Sequence, residues 1–160
     1  MNVRSIMSTP AITVHREMEI RAVARVMRSN QISGVPVVDA QGALQGIITE
    51  LDLIARNAPL QEPQYIAVLS ALIPVNFEDY RDYKEQLRQA LAVNAGELMD
   101  TEVRTIAPTA EIEEALKLML NPECTMLPVV EGGKVIGVVT RTDMVQLIEE
   151  LEMSEEDVEE

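Results

Sequence analysis

The 160-residue sequence is poor in aromatic residues, cysteine and positive charge. It has no tryptophan, one phenylalanine and three tyrosines. All four aromatics (Tyr65, Phe77, Tyr80 and Tyr83) fall in one central segment. Stacking platforms for single-stranded nucleic acid are built from aromatics, so that role is disfavoured. Thirteen Lys and Arg against 27 Asp and Glu leave a formal net charge of −14. Residues 149–160 alone carry eight acids and no base, which leaves about −6 for the rest. Without basic patches, neither a nucleic-acid backbone nor an anionic membrane is an expected partner. A single cysteine, Cys124, excludes an internal disulfide. No apolar run approaches the span of a bilayer, and the N-terminal MNVRSIMSTP has no apolar core of signal-peptide length. The expectation is a soluble cytoplasmic protein with an aliphatic core, since 47% of its residues are hydrophobic.

What is present is a repeat. Shifted by about 92 residues, the chain matches itself. Met7 falls on Met99, Thr13 on Thr105, Met27 on Met119 and Pro36-Val37-Val38 on Pro128-Val129-Val130. The shift then drops by one, so that Gly46, Thr49 and Asp52 fall on Gly137, Thr140 and Asp143. One residue lost at a hairpin tip is well tolerated in a duplicated fold. Each half is too small to bury a comfortable core alone, so the two are expected to complete each other.

Each half reads as β-α-β-β-α. A short β-type run (11–14; 103–106) precedes an amphipathic helix, with Ile20, Val23, Ala24 and Met27, or Ile112, Ala115, Leu116 and Met119, on one face. A strand containing Val35-Pro36 or Leu127-Pro128 follows, then a turn, a third strand and a closing helix. Residues 54–94 do not repeat. Asn76 is a suitable N-cap for a helix reaching about Val93, whose Phe77, Tyr80, Leu87 and Leu91 suit packing on a neighbour. The expected divisions are a first repeat over 1–56, a helical connector over 57–94, a second repeat over 95–150 and an acidic tail over 151–160.

The repeated signature is Gly-aliphatic-aliphatic-Thr-x-x-Asp, at 46–52 and 137–143. It lies where a strand becomes a helix, and unpaired N–H groups there favour an anion. The Thr hydroxyl can donate to phosphate, and a carboxylate one turn on can accept from the two hydroxyls of a ribose. The glycine would let a flat base approach the strand. The same Thr-x-x-Asp also approximates a capping box, in which the two side chains merely satisfy each other's amides.

The full pattern, occurring twice in order, resembles the cystathionine-β-synthase (CBS) domain pair, or Bateman module, over about residues 3–56 and 95–150. The resemblance implies an α+β fold of two β-α-β-β-α repeats packed sheet to sheet about a pseudo-twofold axis, with a helical insert between them. It also implies two clefts for adenosine-containing ligands (AMP, ADP, ATP or S-adenosylmethionine) and dimerisation into flat discs. Carried over, Asp52 and Asp143 hold ribose hydroxyls, and Thr49 and Thr140 contact phosphate or ribose. Thr13 and Thr105 address the base with the strand residues just before them. Val35-Pro36 and Leu127-Pro128 form apolar walls.

Nucleotide-binding members often carry a base just before the aliphatic-Pro strand, where this chain has Ser33-Gly34 and Thr125-Met126. Arg141 is the best remaining cation, with Arg104 and Lys134 as lesser aids, whereas Glu50 stands at the first repeat's matching position. The Asp143 cleft is therefore expected to prefer phosphorylated ligands. The Asp52 cleft is expected to be empty, weaker or suited to an uncharged adenosyl group. His15 lacks partners for a zinc site, and Cys124 reads as core packing. With no nucleophile–base pair, metal cluster or phosphate-binding glycine loop, the reading is a regulatory module, not an enzyme. It would form a homodimer, sense an adenosyl compound and signal to a separate effector protein. The alternative is a ligand-free interaction scaffold on the same fold.

Overall fold

The structure is a computed structural model and describes residues 1–68 and 71–156. The first repeat holds β1 (Val14–His15), α1 (Ile20–Asn30), β2 (Gly34–Val38), β3 (Leu44–Thr49) and α2 (Glu50–Asn57). The connector adds β4 (Tyr65–Val68), β5 (Ala71–Pro74) and α3 (Phe77–Leu91), and α4 (Ala95–Leu98) follows. The second repeat holds α5 (Ile112–Met119), β6 (Met126–Glu131), β7 (Lys134–Thr140) and α6 (Arg141–Glu156). Residues 157–160 of the acidic tail lie outside the described residues.

In the first repeat, β1 runs parallel to β2, and β2 runs antiparallel to β3. The second repeat has the β6–β7 hairpin, but its expected first strand shrinks to one bridge, Ile106 to Val129. That bridge matches Val14 with Val37 one repeat earlier. The ladder stops there because Pro108, two residues on, has no N–H to extend it. The one-residue gap between the copies lies at the hairpin tips. Gly42 turns the longer tip at φ 81°, and Gly132-Gly133 turn the tighter one at φ 60° and 77°. Both hairpins also bulge at equivalent places, Val37/Val38 and Val129/Val130.

The apolar face of α1 (Ile20, Val23 and Met27) and that of α5 (Ile112, Ala115 and Met119) are buried, as the spacing predicts. Each repeat has its own aliphatic core, yet neither core is made only of that repeat. Val3, fully buried, belongs to the core of the second repeat, and the Val3 N–H donates to the Ala110 carbonyl at 2.9 Å. Ala95, Leu98 and Met99 belong to the core of the first. The exchange is reciprocal: Ser8 bridges to Val138, and Asp100 bridges to Ile47. The stretch that opens each repeat thus lies on the other repeat's third strand.

This exchange explains the signature glycines differently from the sequence reading. A Cβ at Gly46 would lie 2.7 Å from the Asp100 carbonyl oxygen, and one at Gly137 would lie 2.8 Å from that of Ser8. The glycines admit the exchanged backbone, not a flat base. The sheets also meet at the start of β2, where a Cβ on Gly34 would lie 3.2 Å from the Met126 methyl.

The connector is helical only in part. α3 begins where expected, with the Asn76 side chain accepting from the Glu78 N–H at 2.9 Å. Its Phe77 and Leu91 are exposed, however, so they do not pack on the repeats. Ahead of it stands the unforeseen β4–β5 hairpin.

Candidate functional site

Two clefts open between the repeats, related by the same pseudo-twofold as the cores. Each begins with a capping box at the strand-to-helix junction. In the second repeat, Asp143 Oδ2 accepts from the Thr140 N–H at 2.6 Å and from its hydroxyl at 2.8 Å. In the first, Asp52 Oδ2 accepts from the Thr49 N–H at 2.8 Å and from its hydroxyl at 3.2 Å. The capping interpretation of the motif is therefore correct for one oxygen of each carboxylate. The box fixes the side chain and leaves Oδ1 pointing elsewhere.

Where Oδ1 points distinguishes the two sites. Asp143 Oδ1 accepts from the Ser8 hydroxyl at 3.1 Å, and both residues line a cavity of about 840 Å³. Its walls are largely apolar, with Ile12, Met27, Leu53, Ile54 and Met126 among them, and its charged lining is Asp143, Glu50 and Arg28. Asp52 Oδ1 instead accepts from the Gln89 side-chain amide of α3 at 3.3 Å. The cavity beside it is about 450 Å³ and is lined by Asp52, Asp100, Glu102 and Glu123 against one cation, Arg104. A further hollow of about 530 Å³ on the α3 side holds Arg88 and Gln89. Burial pushes the Asp52 carboxyl above the ordinary carboxylate value, and the charge of Asp100 adds to this. The Thr49 N–H and hydroxyl and the Arg88 charge work in the opposite direction.

Of the expected site residues, the structure brings Thr140 and Asp143 together in the larger cleft and Thr49 and Asp52 in the smaller. Thr13 and Thr105 line neither cavity; the residues just before them, Ile12 and Arg104, do. The expected walls also move. Val35, Pro36, Leu127 and Pro128 are fully buried in the cores, and the clefts are lined two residues earlier by Ser33-Gly34 and Thr125-Met126. Strand alternation cannot expose both faces of a central strand that is covered on each side, so only its first residues reach the opening.

Arg141 is displaced most. Its guanidinium Nη2 donates to the Asn121 and Pro122 carbonyls at 3.2 and 3.0 Å, and it lines neither cavity. Its counterpart Glu50 lines the Asp143 cleft. Glu50, the residue after the first signature Thr, thus lines the opposite cleft, so an acid stands where a cation was expected beside Asp143. Arg28, at the end of α1, is the cation that lines the Asp143 cleft among the described residues. Its exposed place on an amphipathic helix gave no reason to single it out. Burial raises the Cys124 thiol above its ordinary value, although Cys124 also lines the Asp52 cleft. Lys134 lies at the β6–β7 turn, away from both clefts.

A CBS-domain family model matches residues 3–58 and 95–150. The chain belongs to the CBS-domain family. It is 32% identical to the uncharacterised protein MJ1426 of Methanocaldococcus jannaschii, over 92% of this chain and 91% of that one. It is 30% identical to a CBS domain-containing protein of Dictyostelium discoideum, over 91% and 90% of the two chains. In fold it matches CBSX2 solved with AMP at a TM-score of 0.75, with 20% identity and coverage of 93% and 97%. It likewise matches the CBS domain pair of MJ0100, solved with 5′-methylthioadenosine and S-adenosyl-L-methionine, at a TM-score of 0.66 with 23% identity and coverage of 92% and 95%. Those likenesses establish the CBS-pair fold. Among the described residues, no helix is long and apolar enough to cross a membrane, and no three His, Cys, Asp or Glu side chains converge as metal ligands.

Proposed function

We propose that the Asp143 cleft binds one adenosyl compound and that the chain is a cytoplasmic regulatory module, not a catalyst, acting as a homodimer on a separate effector protein. The observation that carries this reading is the second oxygen of Asp143. It accepts a single hydrogen bond of 3.1 Å, from the Ser8 hydroxyl, where both residues line a cavity of about 840 Å³, while the first is held by Thr140. A carboxylate fixed at one oxygen, whose other oxygen takes one bond and keeps a further lone pair, is pre-organised to accept a ribose hydroxyl. The apolar walls suit an adenine ring. CBSX2 solved with AMP, and MJ0100 solved with 5′-methylthioadenosine and S-adenosyl-L-methionine, support the ligand class.

The charges narrow the class. Arg28 can meet one phosphate or carboxylate, but Glu50 opposes a longer phosphate chain. AMP or S-adenosylmethionine therefore fits better than ATP. The four acids around the Asp52 cleft disfavour any phosphate there.

Calorimetric titration of the full chain with AMP, ATP and S-adenosylmethionine tests this. We expect heat from AMP or S-adenosylmethionine, and at least a tenfold loss of affinity in Asp143→Asn. Asn retains an oxygen for the capping box but turns an N–H₂ toward the ribose. Asp52→Asn leaves the affinity unchanged. Silence for all three compounds favours the scaffold interpretation, for which the two capping boxes are the supporting observation.

A further inference from the structure

The hairpin formed by β4 and β5 lies outside both family-matched segments. Among the described residues its strands pair only with each other. Tyr65, Ile66, Val68, Leu72 and Ile73 are all exposed. A two-stranded hairpin with apolar residues on both faces is marginal in water without a further partner. It is nevertheless anchored, because the Tyr65 ring stands edge-on to Tyr80 of α3 at 6.4 Å between centroids.

Its backbone shows which edge is open. The Val75 N–H donates to the Gln64 carbonyl at 2.9 Å, and the register pairs Ile66 with Ile73 and Val68 with Ala71. Bonded pairs alternate along an antiparallel ladder, so Tyr65 and Ala67 on β4 and Leu72 and Pro74 on β5 turn their backbone groups outward. Pro74 has no N–H, which leaves the β5 edge with one donor. The β4 edge keeps two donors and two acceptors.

We infer that β4 pairs with β4 of a second copy of this chain, forming a four-stranded antiparallel sheet about a twofold axis at Ile66. In that arrangement Tyr65 and Ala67 exchange backbone bonds with Ala67 and Tyr65 of the other copy, and Ile66 stands opposite itself. Self-pairing sets one short segment against its own copy, so any charge on it would stand within a residue or two of its own sign. Residues 63–77 contain no charged residue, although the chain carries a net charge of −14. A neutral surface lets two such acidic molecules approach without setting like charges face to face. This pairing does not depend on nucleotide binding.

The test is made on the full chain without nucleotide. Two residues facing each other at a non-hydrogen-bonded position lie about 4.5 Å apart at Cα, within reach of a disulfide. Ile66→Cys is expected to form a covalent dimer under mild oxidation at least tenfold faster than Ile73→Cys, whose copies would lie about three strand spacings apart, roughly 14 Å. Wild type, with only the buried Cys124, should not cross-link. In sedimentation equilibrium, Ile66→Lys should raise the dimer dissociation constant at least tenfold, with an unchanged melting temperature showing that the cores are intact. Equal cross-linking of the two cysteine variants overturns the inference, as does an Ile66→Lys dimer as tight as wild type. So does a monomer at all concentrations, or a wild-type monomer that co-sediments with neutral phosphatidylcholine vesicles.

Discussion

The Asp143 and Asp52 clefts are made from the same motif, the same capping box and the same exchange of arms, yet they differ in charge and closure. At Asp143 the free oxygen meets a hydroxyl on the rim of a large apolar cavity. At Asp52 it meets an amide from the connector, and three further acids stand nearby. Duplication copied the frame. What lines each opening comes mostly from outside the motif, and there the two copies have diverged: Ser8 corresponds to Asp100, Pro10 to Glu102, and Gln31 to Glu123.

The largest expected effect tests what the copies still share. Gly46→Ala and Gly137→Ala each drive a methyl group into a backbone carbonyl and should cost about 1–3 kcal/mol of stability. Gly46 is the tighter, since Met99 Sδ also stands 2.7 Å from the added carbon. Urea unfolding of both variants measures this. A loss at one glycine alone would show that the arms are not equivalent.

A charge change should sharpen the contrast between the clefts. Glu50→Arg places a second cation beside Arg28 and is expected to strengthen ATP binding about tenfold, or about 1.4 kcal/mol. The same titration on Arg141→Glu should show no change, because that side chain faces the Asn121 and Pro122 carbonyls.

The smallest effect lies in the pH dependence. The folded protein holds a proton on Asp52 more firmly than the unfolded chain does. Its contribution is therefore complete below the unfolded carboxylate value, about 3.9, and is lost as pH rises through the higher folded value. Asp52→Asn should remove that decline, so the stability difference between variant and wild type grows from pH 4 upward. Glu85 acts in the opposite sense, since its hydrogen bond from Arg88 lowers it and that stabilisation is lost toward acid. Subtracting the two urea series isolates Asp52.

The repeat, the hairpin gap, the helix faces and the paired carboxylates were all legible from residue order, because each depends on local periodicity or on a motif a few residues long. The clefts were less so. Self-alignment reveals which residues are equivalent, whereas a cleft is built from residues that are neighbours, and the pseudo-twofold separates the two. Arg141 and Glu50 show the result: the position was recognised, but Glu50 lines the opposite cleft and Arg141 lines neither. Arg28 and Ser8 carry no motif at all. The connector hairpin was missed because its strands are short, uniformly apolar and lack the alternation that marks a half-buried sheet.

The reciprocal arms have one more consequence. Val3 sits in the far core, and Ala95, Leu98 and Met99 sit in the near one, so each half is clasped by a piece of the other. A chain nicked anywhere in the connector would stay one body, because the two fragments remain interlocked at both ends. A lone half would leave a vacant slot along its third strand, beside a glycine with nothing to cover it.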